Sequence, residues 1–207
     1  MISFAICTHN EGAYIQELLA QLVIFCDTTG DQIIVVDDFS TDEYTKVILD
    51  RYSNDLGAIK LYQHPLNNDF AAHKNFLNDM CTGDYIFQVD ADETFHRSLL
   101  ENLHEIVYSN DDIDLFYVPR VNIVHGLTDD DAKRWGWTIN DLGWNCWPDY
   151  QGRLYRKNPS IKWEGKVHER IVGHKAHAFL PTQEEYALYH IKTIDRQRLQ
   201  NSFYSTL

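Results

Sequence analysis

The chain has 207 residues, 44% hydrophobic and 24% charged, the make-up of a globular protein long enough to bury one good core. Its formal net charge of −13 argues against a broad contact with nucleic acid or an anionic membrane, since both demand a cationic face. Any anionic substrate therefore needs a metal ion or a few placed Lys and Arg. No apolar run approaches the length of about 18 residues that a transmembrane helix requires. No signal peptide opens the sequence. Cys7, Cys26, Cys81 and Cys146 are scattered without metal-finger spacing and read as reduced thiols of a cytoplasmic protein.

Residues 2–7 read as a first strand, followed by a polar turn at 8–12 and a helix over 13–25 with Ile15, Leu18, Leu19, Leu22 and Val23 on one stripe. Residues 32–36 are continuously apolar, as a parallel strand buried on both faces should be. Ser40 or Thr41 then caps a helix over 42–52. A strand at 59–63, a helix at 70–80, a strand at 84–89, a helix at 97–108 and a strand at 114–118 continue the alternation. This β-α pattern predicts an α/β fold, a mostly parallel sheet with helices on both faces.

After Arg120 the pattern changes. Residues 121–148 are rich in Trp and Asp and show no clear period. Trp135, Trp137, Trp144 and Trp147 crowd together there, a density that suits a surface for a flat ligand such as a sugar. The run Asp129-Asp130-Asp131 reads as a solvated loop. Residues 151–157 and 161–167 read as two strands around an Asn158-Pro159 turn. Residues 168–182 have little period, 186–190 form a short strand, and a polar helix starts near Asp195.

Ligands of such sheets bind outside the carboxyl ends of the strands. Three polar clusters stand there: Thr8 to Glu11, Asp37 to Asp42, and Asp90-Ala91-Asp92-Glu93. Strand alternation points Asp90 and Asp92 to the same side. By itself this motif is equally an acidic strand end facing water or a pair of carboxylates for one hard divalent cation. Asp37 reads equally as a ligand or as an anchor of its own loop.

In order and spacing the chain resembles a family 2 glycosyltransferase of the GT-A fold. The resemblance rests on the opening strand with Thr8-His9-Asn10-Glu11, on Val35-Val36-Asp37-Asp38-Phe39-Ser40-Thr41-Asp42, and on Asp69 to Asn75 with Gly83-Asp84 and Asp90-Ala91-Asp92-Glu93. The later blocks Asp149 to Arg156 and Trp163 to Glu169 resemble a subgroup of lipopolysaccharide-core and bacteriocin peptide glycosyltransferases. The resemblance implies one GT-A domain over 1–207. Its half 1–120 would bind the nucleotide-sugar. Its half 121–207, with a small antiparallel part, would bind the acceptor and complete a metal site.

It implies a UDP-sugar donor. Asp38 would accept from the uracil ring N–H, Thr8, His9 and Glu11 would flank base and ribose, and Lys74 would sit near the base or diphosphate. Asp90 would reach the ribose or the metal, Asp92 would bind the metal directly, and His168 would complete the metal site. Carboxylate oxygens suit Mg²⁺ or Mn²⁺, and an imidazole tilts the choice toward Mn²⁺. Inversion at the sugar carbon needs a base for the acceptor proton. Asp149 is the expected base and Glu169 the second candidate, with Trp144 and Trp147 shaping the acceptor pocket. The acceptor classes are a glycan or lipid-linked oligosaccharide first, then a peptide or a modified nucleobase. Competing readings are a non-catalytic nucleotide-sugar or glycan-binding module on the same fold, and a nucleotidyltransferase, against which the absence of a Gly-rich phosphate loop counts.

Overall fold

A computed structural model describes residues 1–204, with side chains through Ser202. Its first half repeats a strand-helix unit: β1 (Ile2–Thr8), α1 (Gly12–Thr29), β2 (Gln32–Asp37), α2 (Glu43–Asp50), β3 (Lys60–Gln63), α3 (Phe70–Met80) and β4 (Tyr85–Asp90). A single π-helical turn, Arg51–Asp55, extends α2. Then follow β5 (Glu93–Phe95), α4 (Arg97–Ser109), β6 (Leu115–Val118), β7 (Arg120–His125) and α5 (Asp129–Trp135). The chain continues through β8 (Gln151–Arg156), β9 (Lys162–Glu164), β10 (Arg170–Val172), β11 (His177–Phe179), β12 (Leu188–Thr193) and α6 (Ile194–Tyr204).

Seven strands form the main sheet in the order β11-β6-β8-β4-β1-β2-β3. All neighbours run parallel except β8, which lies antiparallel between β4 and β6. Phe4, Ile6, Phe87 and Val89 point to the face covered by α1, α2 and α4, while Ala5, Ile34 and Ile86 point to the face covered by α3 and the β9–β10 hairpin. The central strands are therefore buried on both sides, which is why their sequences are nearly continuous apolar runs. A second sheet, β5-β12-β7, stands beside the first, with β12 antiparallel to β5 and parallel to β7.

The expected alternation over 2–118 is present. Beyond it the structure differs in four places. The stretch 121–148 contains β7 and a short helix rather than irregular chain alone. The two strands expected around Asn158-Pro159 do not pair with each other: β8 enters the main sheet, and β9 is shorter and pairs with β10. The strand expected to end at His190 runs to Thr193. The acidic run 129–131 is not a solvated loop but the first turn of α5, where acidic groups suit the positive helix end. Thr128 caps that turn, and buried Asp131 accepts from Thr128 and Arg198.

Gly83 lets the turn before β4 lie against β1. A Cβ there would stand 2.8 Å from the Met1 carbonyl oxygen and 2.9 Å from the Ser3 nitrogen. Gly83→Ala is expected to cost about 1–3 kcal/mol of stability through overpacking, measured by urea unfolding. A loss under about 0.5 kcal/mol would show that β1 yields without penalty. Among the described residues no helix is long and apolar enough to cross a membrane, and all four cysteines are free thiols.

Candidate active site

The three polar clusters end adjacent strands. Pairing sets Thr8 of β1 opposite Asp37 of β2 and Cys7 of β1 opposite Asp90 of β4. The loops beyond are sewn together: Asn10 Oδ1 accepts from the Thr41 and Asp42 amides at 2.7 and 3.0 Å, and the Asn10 amide donates to Ser40 Oγ at 2.9 Å. Asp37 is buried and accepts from the Ser40 amide and hydroxyl, so it anchors its own loop. Asp38 points the other way. Its Oδ1 accepts from the Leu66 amide at 2.9 Å, and its Oδ2 lies 3.8 Å from His9 Nδ1.

These loops border a cavity of about 810 Å³. Thr8, His9, Glu11, Asp38, Lys74, Asp90, Asp92 and Glu169 all line it. Two sequence candidates do not. His168 sits at positive φ in the turn between β9 and β10, is exposed, and is not part of the cavity wall. Asp149 lies behind Arg120: its Oδ2 accepts from Arg120 Nη2 at 2.7 Å, Arg120 Nε at 2.9 Å and Asn122 Nδ2 at 2.6 Å, and its Oδ1 accepts from Gln151 at 3.0 Å. These four Trp residues meet in pairs, Trp135 tilted against Trp137 and Trp144 edge-to-face with Trp147, each with ring centres 4.9 Å apart, and none of them lines the cavity.

The structure adds groups that the sequence reading missed. β12 brings His190 and Lys192 into the cavity, and α6 brings Arg196, Gln197 and Gln200. His190, not His168, is the histidine beside Asp92, with Nε2 3.2 Å from Asp92 Oδ2. Arg196 donates to both Glu11 oxygens, lies 3.4 Å from Asp92 Oδ2, and covers the Tyr14 ring at 4.5 Å. Lys192 donates to Gln200 Oε1 at 2.7 Å. The signal was in β12 itself. Its inward positions are Leu188, His190 and Lys192, while apolar Ile191 faces solvent. Polar residues at inward positions of a strand are a mark of function.

Burial and charge set the protonation states. Burial pushes the Asp90 carboxyl up, but Arg153 and Lys74 beside it prevail and hold it well below the ordinary carboxylate range. For Asp92 burial is likewise outweighed, here by His190, and for Asp149 by Arg120 and Asn122. Burial raises Glu11 despite Arg196. Burial brings Lys192 down to about 8. Glu169 accepts from Lys74 Nζ at 2.7 Å, and that ammonium stands 4.0 Å from Asp90 Oδ1 and 4.3 Å from the Trp163 ring centre.

Among the described residues no three His, Cys, Asp or Glu side chains converge as a complete cation site. Asp92 and His190 form an open pair instead. Such a pair holds a divalent ion when ligand oxygens fill the remaining positions, as phosphates do for Mg²⁺.

The family model for Glycosyl transferase family 2 matches residues 3–176. An uncharacterized glycosyltransferase of Rickettsia felis is 31% identical over 125 residues, 60% of this chain and 40% of that protein. The lipopolysaccharide core biosynthesis glycosyltransferase LpsC of Rhizobium meliloti is 28% identical over 212 residues, 99% of this chain and 68% of LpsC. The crystal structure of S. aureus TarS 1–349 in complex with UDP superposes with a TM-score of 0.64 at 19% identity, covering 92% of this chain and 60% of that one. Its complex with UDP-GlcNAc gives 0.62 at 19% identity, with 92% and 58% covered. The chain thus spans 40% of the Rickettsia relative and 58–60% of the TarS segment. The fold is that of a GT-A glycosyltransferase, and the chain belongs to glycosyl transferase family 2.

Proposed function

We propose that the protein transfers a sugar, with inversion, from a UDP-sugar to an acceptor hydroxyl, using a divalent cation held by Asp92 and His190. The observation that carries this reading is the convergence of Thr8, Asp38, Lys74, Asp90, Asp92 and Glu169 on one cavity at the carboxyl ends of β1, β2 and β4. The UDP and UDP-GlcNAc complexes of TarS, whose fold this chain shares, support UDP as the nucleotide.

Asp38 Oδ2 accepts from the uracil ring N–H, with Thr8 and His9 beside the base. Asp90, held ionised by Arg153, faces the ribose. When bound, the cation (Mn²⁺ for a carboxylate-imidazole pair, or Mg²⁺) neutralises charge that builds on the diphosphate as the sugar departs. Lys192 and Arg196 stand on the same wall and add positive charge toward the diphosphate oxygens. Glu169 takes the proton of the attacking hydroxyl, and Lys74 orients its carboxylate. Glu169 replaces Asp149 in this role because it faces the cavity while Asp149 is committed to Arg120, Asn122 and Gln151. Residues 121–207 supply the acceptor side of one domain and complete its metal site. The likeness to LpsC favours a glycan or lipid-linked acceptor over a peptide.

Calorimetric titration with UDP tests the reading. UDP is expected to bind with Mn²⁺ present, to weaken on chelation, and to lose that dependence in Asp92→Ala. Failure to bind UDP with or without metal overturns it.

A further inference from the structure

Asn122 on β7 stands between Asp149 and His190, and its two amide atoms meet groups of fixed character. Its Nδ2 is 2.6 Å from Asp149 Oδ2. That carboxylate also receives Arg120 and is held ionised, so it only accepts hydrogen bonds and requires the NH₂ end of Asn122. The amide oxygen must then face His190, where it lies 2.9 Å from Nδ1. An amide oxygen only accepts, so His190 Nδ1 carries a proton. Nε2 lies 3.2 Å from Asp92 Oδ2, a carboxylate that likewise only accepts. Without a cation Nε2 therefore holds a proton toward Asp92, and a divalent ion bound between the two takes that proton's place while Nδ1–H stays on Asn122.

We infer that Asn122 is a positioning residue. It fixes His190 as the Nδ1–H tautomer, so that Nε2 and Asp92 together face a divalent cation. Hydrogen bonds behind a ligating imidazole set its tautomer and orientation in this way. The amide also closes a ring. From Asp149 one arm runs through Asn122 and His190 to Asp92. The other runs through Arg120, Glu93 and Arg153 to Asp90. Asp149, outside the cavity, thereby holds the two aspartates of the Asp90-Ala91-Asp92 motif from behind. This role gives the amide of Asn122 a use that a packing role would not need. It rests on the metal reading proposed above, and its test separates the two.

The ¹⁵N spectrum of histidine-labelled protein with UDP and diamagnetic Mg²⁺, with the His190 signals assigned by their loss in His190→Gln, reads the tautomer directly. Protonated Nδ1 and unprotonated Nε2 are expected. Asn122→Leu removes the amide at similar volume. It is expected to release His190 toward the Nε2–H tautomer and to weaken Mn²⁺ binding in the presence of UDP about 10–100-fold, followed by the electron paramagnetic resonance of free Mn²⁺. Wild-type protein that takes up Mn²⁺ with UDP yet shows Nε2–H overturns the role of Asn122 alone. Wild-type protein with Nδ1–H that takes up no Mn²⁺ overturns the role and the metal reading together. The wild-type spectrum decides even where the leucine variant folds poorly.

Discussion

Glu169→Gln is expected to lower kcat about 10²–10⁴-fold, the worth of a positioned general base, while UDP still binds. Glutamine keeps the size of the side chain but cannot take a proton at neutral pH. Its amide also ends the ion pair with Lys74 at 2.7 Å, so that ammonium turns more fully to Asp90, 4.0 Å away. Donor binding should therefore change little and turnover much, a split that steady-state kinetics with saturating UDP-sugar would read. Asp149→Asn is the control. Its carboxylate is enclosed by Arg120, Asn122 and Gln151, so that substitution should act first on stability and only indirectly on rate. If Asp149→Asn shows the large kcat loss with a stable fold and Glu169→Gln remains active, the base is Asp149.

The difference between these two carboxylates shows what a sequence can and cannot carry. The rim motifs were legible because each ends a strand of a repeating β-α unit, and sequential neighbours in such a unit become spatial ones. Asp38, Asp90 and Asp92 follow from that local grammar, whereas Lys74, on α3, rests only on the resemblance to the family. The second half of the chain obeys no such rule. β8 inserts antiparallel between β4 and β6, and β12 pairs with β5 and β7, both far from it in sequence. Which histidine reaches Asp92 depends on that non-local pairing. His168 stands in a promising motif but on a turn at positive φ, facing solvent. His190, 98 residues from Asp92 in sequence, arrives on a strand whose inward Leu188-His190-Lys192 pattern was the available sign. Arg153 was likewise readable only as a strand residue until its burial between Asp90 and Glu93 was seen.

Glu93→Ala should destabilise the protein by about 3–5 kcal/mol, the cost of removing one partner from a buried ion cluster. Glu93 is fully buried, accepts from Arg153 Nη2 at 2.6 Å and Arg120 Nη1 at 2.9 Å, and takes the Asp90 amide at 3.0 Å. Without it two guanidiniums share the enclosed space, each left with one carboxylate, Asp90 or Asp149, and a cavity opens at the start of β5. At about 2–4 °C per kcal/mol for a chain of this size, the melting temperature should fall by roughly 10 °C in a circular-dichroism scan. Acid should strain the same cluster in the wild type. Asp90 and Asp149 titrate below the ordinary carboxylate range when folded, so the folded state binds fewer protons than the unfolded chain. Their contribution is complete above an unfolded value of about 3.9 and is lost as pH falls below it toward the depressed folded values. Urea midpoints should therefore drop below about pH 4. A Glu93→Ala protein that melts within about 2 °C of wild type would mean that water enters and solvates both arginines, and the cluster would then align the site without holding the fold.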